Sequence, residues 1–141
     1  MAQELVLAAS ASRSTTASTT GTAVQLPGFW KRLAVVLDVT SSGVDVGDTL
    51  DVYVDLSFDN VKWFNVVHFA QQAGTGAAKT EIAILDPSNP GTATFVVTAD
   101  CAAGVTRPSS FGKWVRARHV IVNGAGGGTP EHVFSVKAYS Q

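Results

Sequence analysis

The basic residues Arg107, Lys113, Arg116 and Arg118 form one cluster, with Trp114 interleaved. Arg116 and Arg118 stand two apart, which on a strand puts both on one face. Arginine with an aromatic can grip single-stranded nucleic acid. The same pair is enriched where proteins bind proteins tightly. Two arginines on a strand face can also pair with Asp51 or Asp55 across a sheet. Because the whole chain is slightly acidic, the protein-contact reading leads.

Other chemistry-bearing residues lack the company they need. Asp45, Asp48 and Asp51 recur at spacing three around Gly47, but no bidentate glutamate follows to complete a calcium loop. His68, His119 and His132 are far apart, and zinc needs three or four convergent ligands. Cys101 is the sole cysteine, which excludes an internal disulfide. No cation adjoins it to lower its pKa. The glycine loop at 124–128 has no following Lys-Ser/Thr and leads toward a strand, so it reads as a hairpin loop rather than a phosphate cradle. No Gly-x-Ser-x-Gly elbow is present. The expectation is a protein that is not an enzyme, with no catalytic residues, no metal and no cofactor.

The elements that would position these residues are strands. Leu50, Val52, Val54 and Leu56 alternate with Asp51, Tyr53 and Asp55, the period of a half-buried strand, and Leu33 to Thr40 is a preceding strand. Ser57-Phe58-Asp59-Asn60 reads as a turn, with a partner strand from Val61 to Phe69. In that partner, Trp63, Asn65, Val67 and Phe69 fall on one face and Phe64, Val66 and His68 on the other. Further strands are expected over residues 3–9, 79–85, 92–98, 113–122 and 131–139. Asp86-Pro87-Ser88-Asn89-Pro90-Gly91 is a turn. Ser10 to Thr22 is a Ser/Thr-rich arm or edge segment, expected to be extended and ordered only against a neighbour. Eight or nine short strands without helical periodicity give an all-β fold, an antiparallel β-sandwich of jelly-roll type, in one domain spanning 1–141.

The 141 residues are enough to sustain a core without staples. Ten basic residues against eleven acidic ones argue against duplex DNA or an anionic membrane as partner. Charged residues make up only 15% of the chain, below the usual quarter, which fits a surface partly covered in an assembly. The first residues lack the basic and apolar regions of a secretory signal, and no apolar run reaches the ~20 residues that span a bilayer. Synthesis and folding in a cytoplasm is the expectation.

Leu37-Asp38-Val39-Thr40, a glycine loop, Thr49-Leu50-Asp51-Val52-Tyr53-Val54, Phe58-Asp59-Asn60-Val61-Lys62-Trp63 and Phe69-Ala70-Gln71 resemble a pattern in small virion proteins of tailed phages and prophages. The likeness covers roughly residues 33–71, with a looser echo in the last two strands. It carries no catalytic residues. It implies a β-sandwich subunit that works by assembly. The leading expectation is a capsid decoration (cement) protein on the capsid exterior of a virion, made in the bacterial host. Its expected partners are the major capsid protein and copies of itself in a homotrimer. Trp30, Trp114, Arg116 and Arg118 are the expected contact residues. A neck or tail component is the alternative within that class. A carbohydrate-binding module using Trp30, Trp63 and Tyr53 is the alternative outside it.

Overall fold

A computed structural model describes residues 2–43, 45–89 and 98–141. The described residues hold eleven strands and no helix. They are β1 (Gln3–Arg13), β2 (Ser18–Thr20), β3 (Val24–Gln25), β4 (Leu33–Ser42), β5 (Thr49–Ser57), β6 (Trp63–His68), β7 (Gln72–Ala73), β8 (Lys79–Leu85), β9 (Val105–Thr106), β10 (Trp114–Val122) and β11 (His132–Ser140). One sheet runs β1-β11-β4-β8. The other runs β2-β10-β5-β6-β9, with β3 also on β10 and β7 also on β5. Every pairing is antiparallel. The two sheets pack as a sandwich.

Alternation builds the core. Leu33, Val35, Leu37 and Val39 of β4 point inward, beside Phe134, Val136 and Ala138 of β11. They meet Leu50, Val52, Val54 and Leu56 of β5 and Val115, Ala117 and Ile121 of β10. Each Val, Leu, Ile or Phe among them contributes about 1.5–3 kcal/mol when fully buried.

Eleven strands exceed the eight or nine expected because β2, β3, β7 and β9 are two- or three-residue pieces: β2 falls in the Ser/Thr-rich arm or edge segment, β3 at the start of a short apolar stretch, and β7 and β9 in segments that read as loops. The antiparallel sandwich is as expected; among the described residues its sheets hold four and seven strands, and this order does not establish a jelly roll. The Ser/Thr-rich segment is extended, but it orders against its own chain. Residues up to Arg13 continue β1 along β11, and Ser18–Thr20 pairs with β10. Threonine and serine supply ordinary ladder groups there, so no outside neighbour is needed. Residues 92–97 of the expected strand at 92–98, and Pro90-Gly91 at the end of the turn, lie outside the described residues.

The face assignment of the β5–β6 partner strand changes. Asp55 opposes Asn65, but Val54 opposes Val67, so Val66 is the extra residue of a bulge. The slip moves Val67 to the core face and His68 to the outer face with Tyr53. Asn65 Nδ2 donates to Val54 O at 3.0 Å and Val67 O at 2.9 Å, occupying the carbonyls that the interrupted ladder leaves open.

Candidate interaction surface

The outer face of the seven-stranded sheet gathers Asp51, Tyr53 and Asp55 of β5, Trp63, Asn65 and His68 of β6, and Trp114, Arg116 and Arg118 of β10. Register fixes the pairs: Arg116 opposes Asp55, and Arg118 opposes Tyr53. Asp55 is the hub, with only 3% of its side chain exposed. It accepts from Arg116 Nε at 3.3 Å, Arg118 Nε at 2.9 Å and Asn65 Nδ2 at 3.1 Å. The Arg116 guanidinium lies 4.2 Å from the Trp63 ring centroid, and Arg118 lies 4.1 Å from that of Tyr53. Tyr53 in turn stacks on His68, centroids 4.0 Å apart. Cation, ring and carboxylate therefore alternate across three strands.

The segment 99–107 clamps this face. Cys101 N donates to Asn65 Oδ1 at 2.8 Å, and Gly104 N donates to His68 O at 2.9 Å. Arg107 donates to Asn65 O and Ala99 O, and Asp100 pairs with Arg118. His68 spans the join, with Nδ1 2.9 Å from Cys101 O and Nε2 2.8 Å from Asp51 Oδ1. Burial alone would pull the Arg118 guanidinium down, but Asp55 and Asp100 outweigh it and hold it above its usual range. Burial, then the charges of Asp51 and Asp100, push the Tyr53 phenol up, so it stays neutral. Arg116 and Arg118 are thus committed within the chain, and a phosphate backbone would have to displace Asp55 to reach them.

Of the four expected contact residues, the fold brings Trp114, Arg116 and Arg118 onto this face. Trp30 is placed elsewhere. It packs half-buried against the core, and its Nε1 donates to Gly112 O at 3.0 Å.

An exposed aromatic surface lies at the Gly112 end. Phe58 and Phe111 are 56% and 57% exposed, with ring centroids 5.3 Å apart, and Phe58 also stands 5.3 Å from Phe64. Phe29, fully exposed, adjoins Trp30. The turn that displays Phe58 is tightly built. Ser57 Oγ accepts from Asn60 N at 2.9 Å, and Asp59 Oδ1 accepts from Val61 N and Lys62 N at 2.8 Å each. Asn60 takes the left-handed conformation, φ 61°, that asparagine tolerates. Val61, at the same tip, is also exposed. Periodicity does not reveal Phe58 and Phe111, since both lie in connecting segments.

The remaining candidates scatter. Cys101 is buried, and burial raises its thiol above the ordinary range. Among the described residues, no three of His, Cys, Asp and Glu converge as a metal-binding group. Asp48 Oδ1 accepts from Gly124 N at 2.7 Å, while His132 Nδ1 lies 3.2 Å from Ser42 Oγ. The glycine loop packs backbone on backbone: a Cβ on Gly124 would fall 2.3 Å from Gly47 C. Close approach is the reason for glycine there.

Burial gives two histidines a pH signature. It lowers the pKa of His119, helped by the charge of Arg13, and that of His132, where Asp48 opposes it. The folded state therefore prefers both neutral. Their contribution to stability is whole above the ordinary imidazole value of about 6.5 and declines below it, because the unfolded chain takes up protons first. The urea midpoint is expected to be lower at pH 5.5 than at 7.5, and His119→Gln combined with His132→Gln should flatten that slope. Glu4, Asp59 and Asp86 are held below their usual range by hydrogen bonds, so their losses come in a more acidic window.

What the fold and surface define is an all-β sandwich whose charged face is satisfied internally and whose aromatic end is not. No protein-family model, curated protein or solved structure matches the chain.

Proposed function

We propose that this chain is a bacteriophage virion structural protein of capsid decoration type. It would act as a homotrimer that bridges junctions between major capsid subunits. The observation that carries the reading is the aromatic end. Phe58 and Phe111 stand exposed and in ring contact, Phe58 on a rigidly tied turn and Phe111 on the segment beside it. Clustered exposed apolar residues mark surfaces that other proteins cover. The low charge content and the resemblance of residues 33–71 support the same reading. The mechanism is mass action: a subunit that binds the assembled shell, and not its loose parts, stabilises the shell.

Sugar stacking finds less support. Trp63 and Tyr53 already carry guanidinium groups against their rings, and Trp30 is anchored on the core.

Light scattering on a size-exclusion column, over a dilution series, tests the proposal. The expected mass is three times the 14.7 kDa of one chain. Phe58→Ser with Phe111→Ser should give monomers while leaving the circular dichroism spectrum unchanged. A ring of six or twelve would move the assignment to the phage neck or tail. A monomer at every concentration, indifferent to the double substitution, would overturn the assembly reading.

A further inference from the structure

A cavity of about 230 Å³ lies between the two sheets on the side where the chain passes from β1 to β2. β1 brings Arg13 to it, β2 and the residues after it bring Thr19 and Thr22, and β10 brings His119. No aspartate or glutamate lines it. Arg118 also borders it, but its guanidinium is already taken by Asp55 and Asp100.

Arg13 and His119 flank one ring. The Arg13 guanidinium lies 4.4 Å from the Phe134 ring centroid, and His119 meets the same ring edge-to-face, centroids 5.3 Å apart. Arg13 Nη1 donates to Ala11 O at 3.1 Å and Phe134 O at 2.8 Å, and Nη2 donates to Ala9 O at 2.7 Å. A guanidinium has five N–H donors, so Nε–H and one N–H of Nη2 remain, on the two atoms that meet an oxyanion side-on. All three acceptors are neutral carbonyls, and no carboxylate among the described residues pairs with Arg13. His119 and the hydroxyls of Thr19 and Thr22 make no hydrogen bond to a described residue. Among the described residues, the sealed side-chain nitrogens and oxygens without a partner are Asp48 Oδ2 and His132 Nε2. Arg13 Nε and the His119 ring nitrogens are not among them, so these donors are reachable. Burial lowers the pKa of both Arg13 and His119, and the Arg13 charge lowers that of His119 further. A partly buried charge without a counter-charge is costly, and an anion would relieve it.

We propose that this cavity holds a small hydrated tetrahedral oxyanion, of the sulfate or phosphate class. Arg13 would take two of its oxygens side-on, with His119 and the threonine hydroxyls on the others. Donors from several strands ask for several acceptor atoms, which a single-atom anion such as chloride does not supply. The polar lining also holds the waters that would fill the space around the ion. An apolar body would find no open wall to rest on, since Leu7 is 5% and Phe134 1% exposed. The proposal stands on the cavity alone and does not depend on the assembly reading.

The probe is sulfate, titrated into the full-length ¹⁵N-labelled chain against chloride at constant ionic strength. Saturable amide shifts are expected at Arg13, Thr19, Gly21, Thr22 and His119. Arg13→Gln should weaken binding at least about tenfold, since it loses a charge-assisted pair. Arg13→Lys should weaken it too, because lysine keeps the charge without the side-on fork. In the wild-type chain, affinity should rise from pH 7.5 to 5.5 as His119 takes up a proton, while sulfate keeps its charge. Arg13 and Arg118 are the other charged groups of the lining, and neither titrates in that range. His119→Gln should remove the rise. Inorganic phosphate should compete for the same shifts, and glycerol phosphate should compete less well, because its body has no wall to rest on. The proposal is overturned by shifts that do not saturate or that lie elsewhere, by chloride binding equally, or by unchanged affinity in either Arg13 variant. Tighter binding of glycerol phosphate than of phosphate would overturn the free ion as ligand. If the Arg13 variants fail to fold, the wild-type pH profile decides, and a flat profile overturns the site.

Discussion

Asp55→Ala is expected to cost about 3 kcal/mol of folding stability, the low end of the range for breaking a buried ion pair. The carboxylate is 3% exposed, while Arg116 and Arg118 are 22% and 17% exposed, so solvent recovers part of the loss on the cationic side. Removing it leaves Arg116 without its carboxylate and Arg118 with Asp100 alone, each still lying against an aromatic ring. It also deprives Asn65 Nδ2 of one of its three acceptors at the bulge. Urea denaturation monitored by tryptophan fluorescence reads the change directly, since Trp63 lies against Arg116. A triple replacement separates structure from recognition. Asp55→Leu with Arg116→Met and Arg118→Met removes every charge of the hub at once, and such apolar swaps are often neutral or stabilising. Stability should return toward the wild-type value. If the triple variant is as unstable as Asp55→Ala, the ion pairs are not what Asp55 contributes.

That hub was half legible in the sequence. Alternation in β5 puts Asp51, Tyr53 and Asp55 outward, and spacing puts Arg116 and Arg118 on one face, so an arginine–aspartate pairing follows from periodicity. Which aspartate pairs depends on register, and register is set by contacts between residues some sixty positions apart. The bulge at Val66 was hidden for the same reason. Val66 and Val67 are both buried, so neither residue type signals the slip. Only pairing with β5 shows that Val67, and not Val66, faces Val54. The Ser/Thr-rich segment misleads in another way. Its composition describes what it cannot bury, while its strands are held by backbone bonds to β10 and β11 that composition does not encode. The exposed aromatic end was hidden because turn chemistry explains Ser57, Asp59 and Asn60 and says nothing about the phenylalanine between them.

Phe134→Ala should be the most damaging single truncation, at about 3–5 kcal/mol. Phe134 is the largest fully buried side chain among the described residues and is 1% exposed. It lies on β11, paired with β1 on one side and β4 on the other, so its loss loosens three strands of the four-stranded sheet. Its ring also fixes two polar groups, Arg13 above its face and His119 at its edge. The space left by the ring would join the cavity of about 230 Å³ that Phe134 lines together with Arg13, Thr19 and His119, and whose polar side can admit water. Hydration offsets some of the void, but it also solvates Arg13, so the guanidinium loses its ring contact without losing its charge. A double-mutant cycle of Phe134→Ala with Arg13→Gln distinguishes the two contributions. If the ring acts mainly by filling the core, the two losses add. If it acts mainly by holding Arg13, the second substitution costs little once the first is made. The contact of 4.4 Å is of cation–π type, worth about 0.5–2 kcal/mol. The expected coupling therefore lies within that range and is smaller than the core loss. A coupling near zero would mean that Phe134 and Arg13 act independently, and that the cavity's cation is held by its three carbonyl bonds alone.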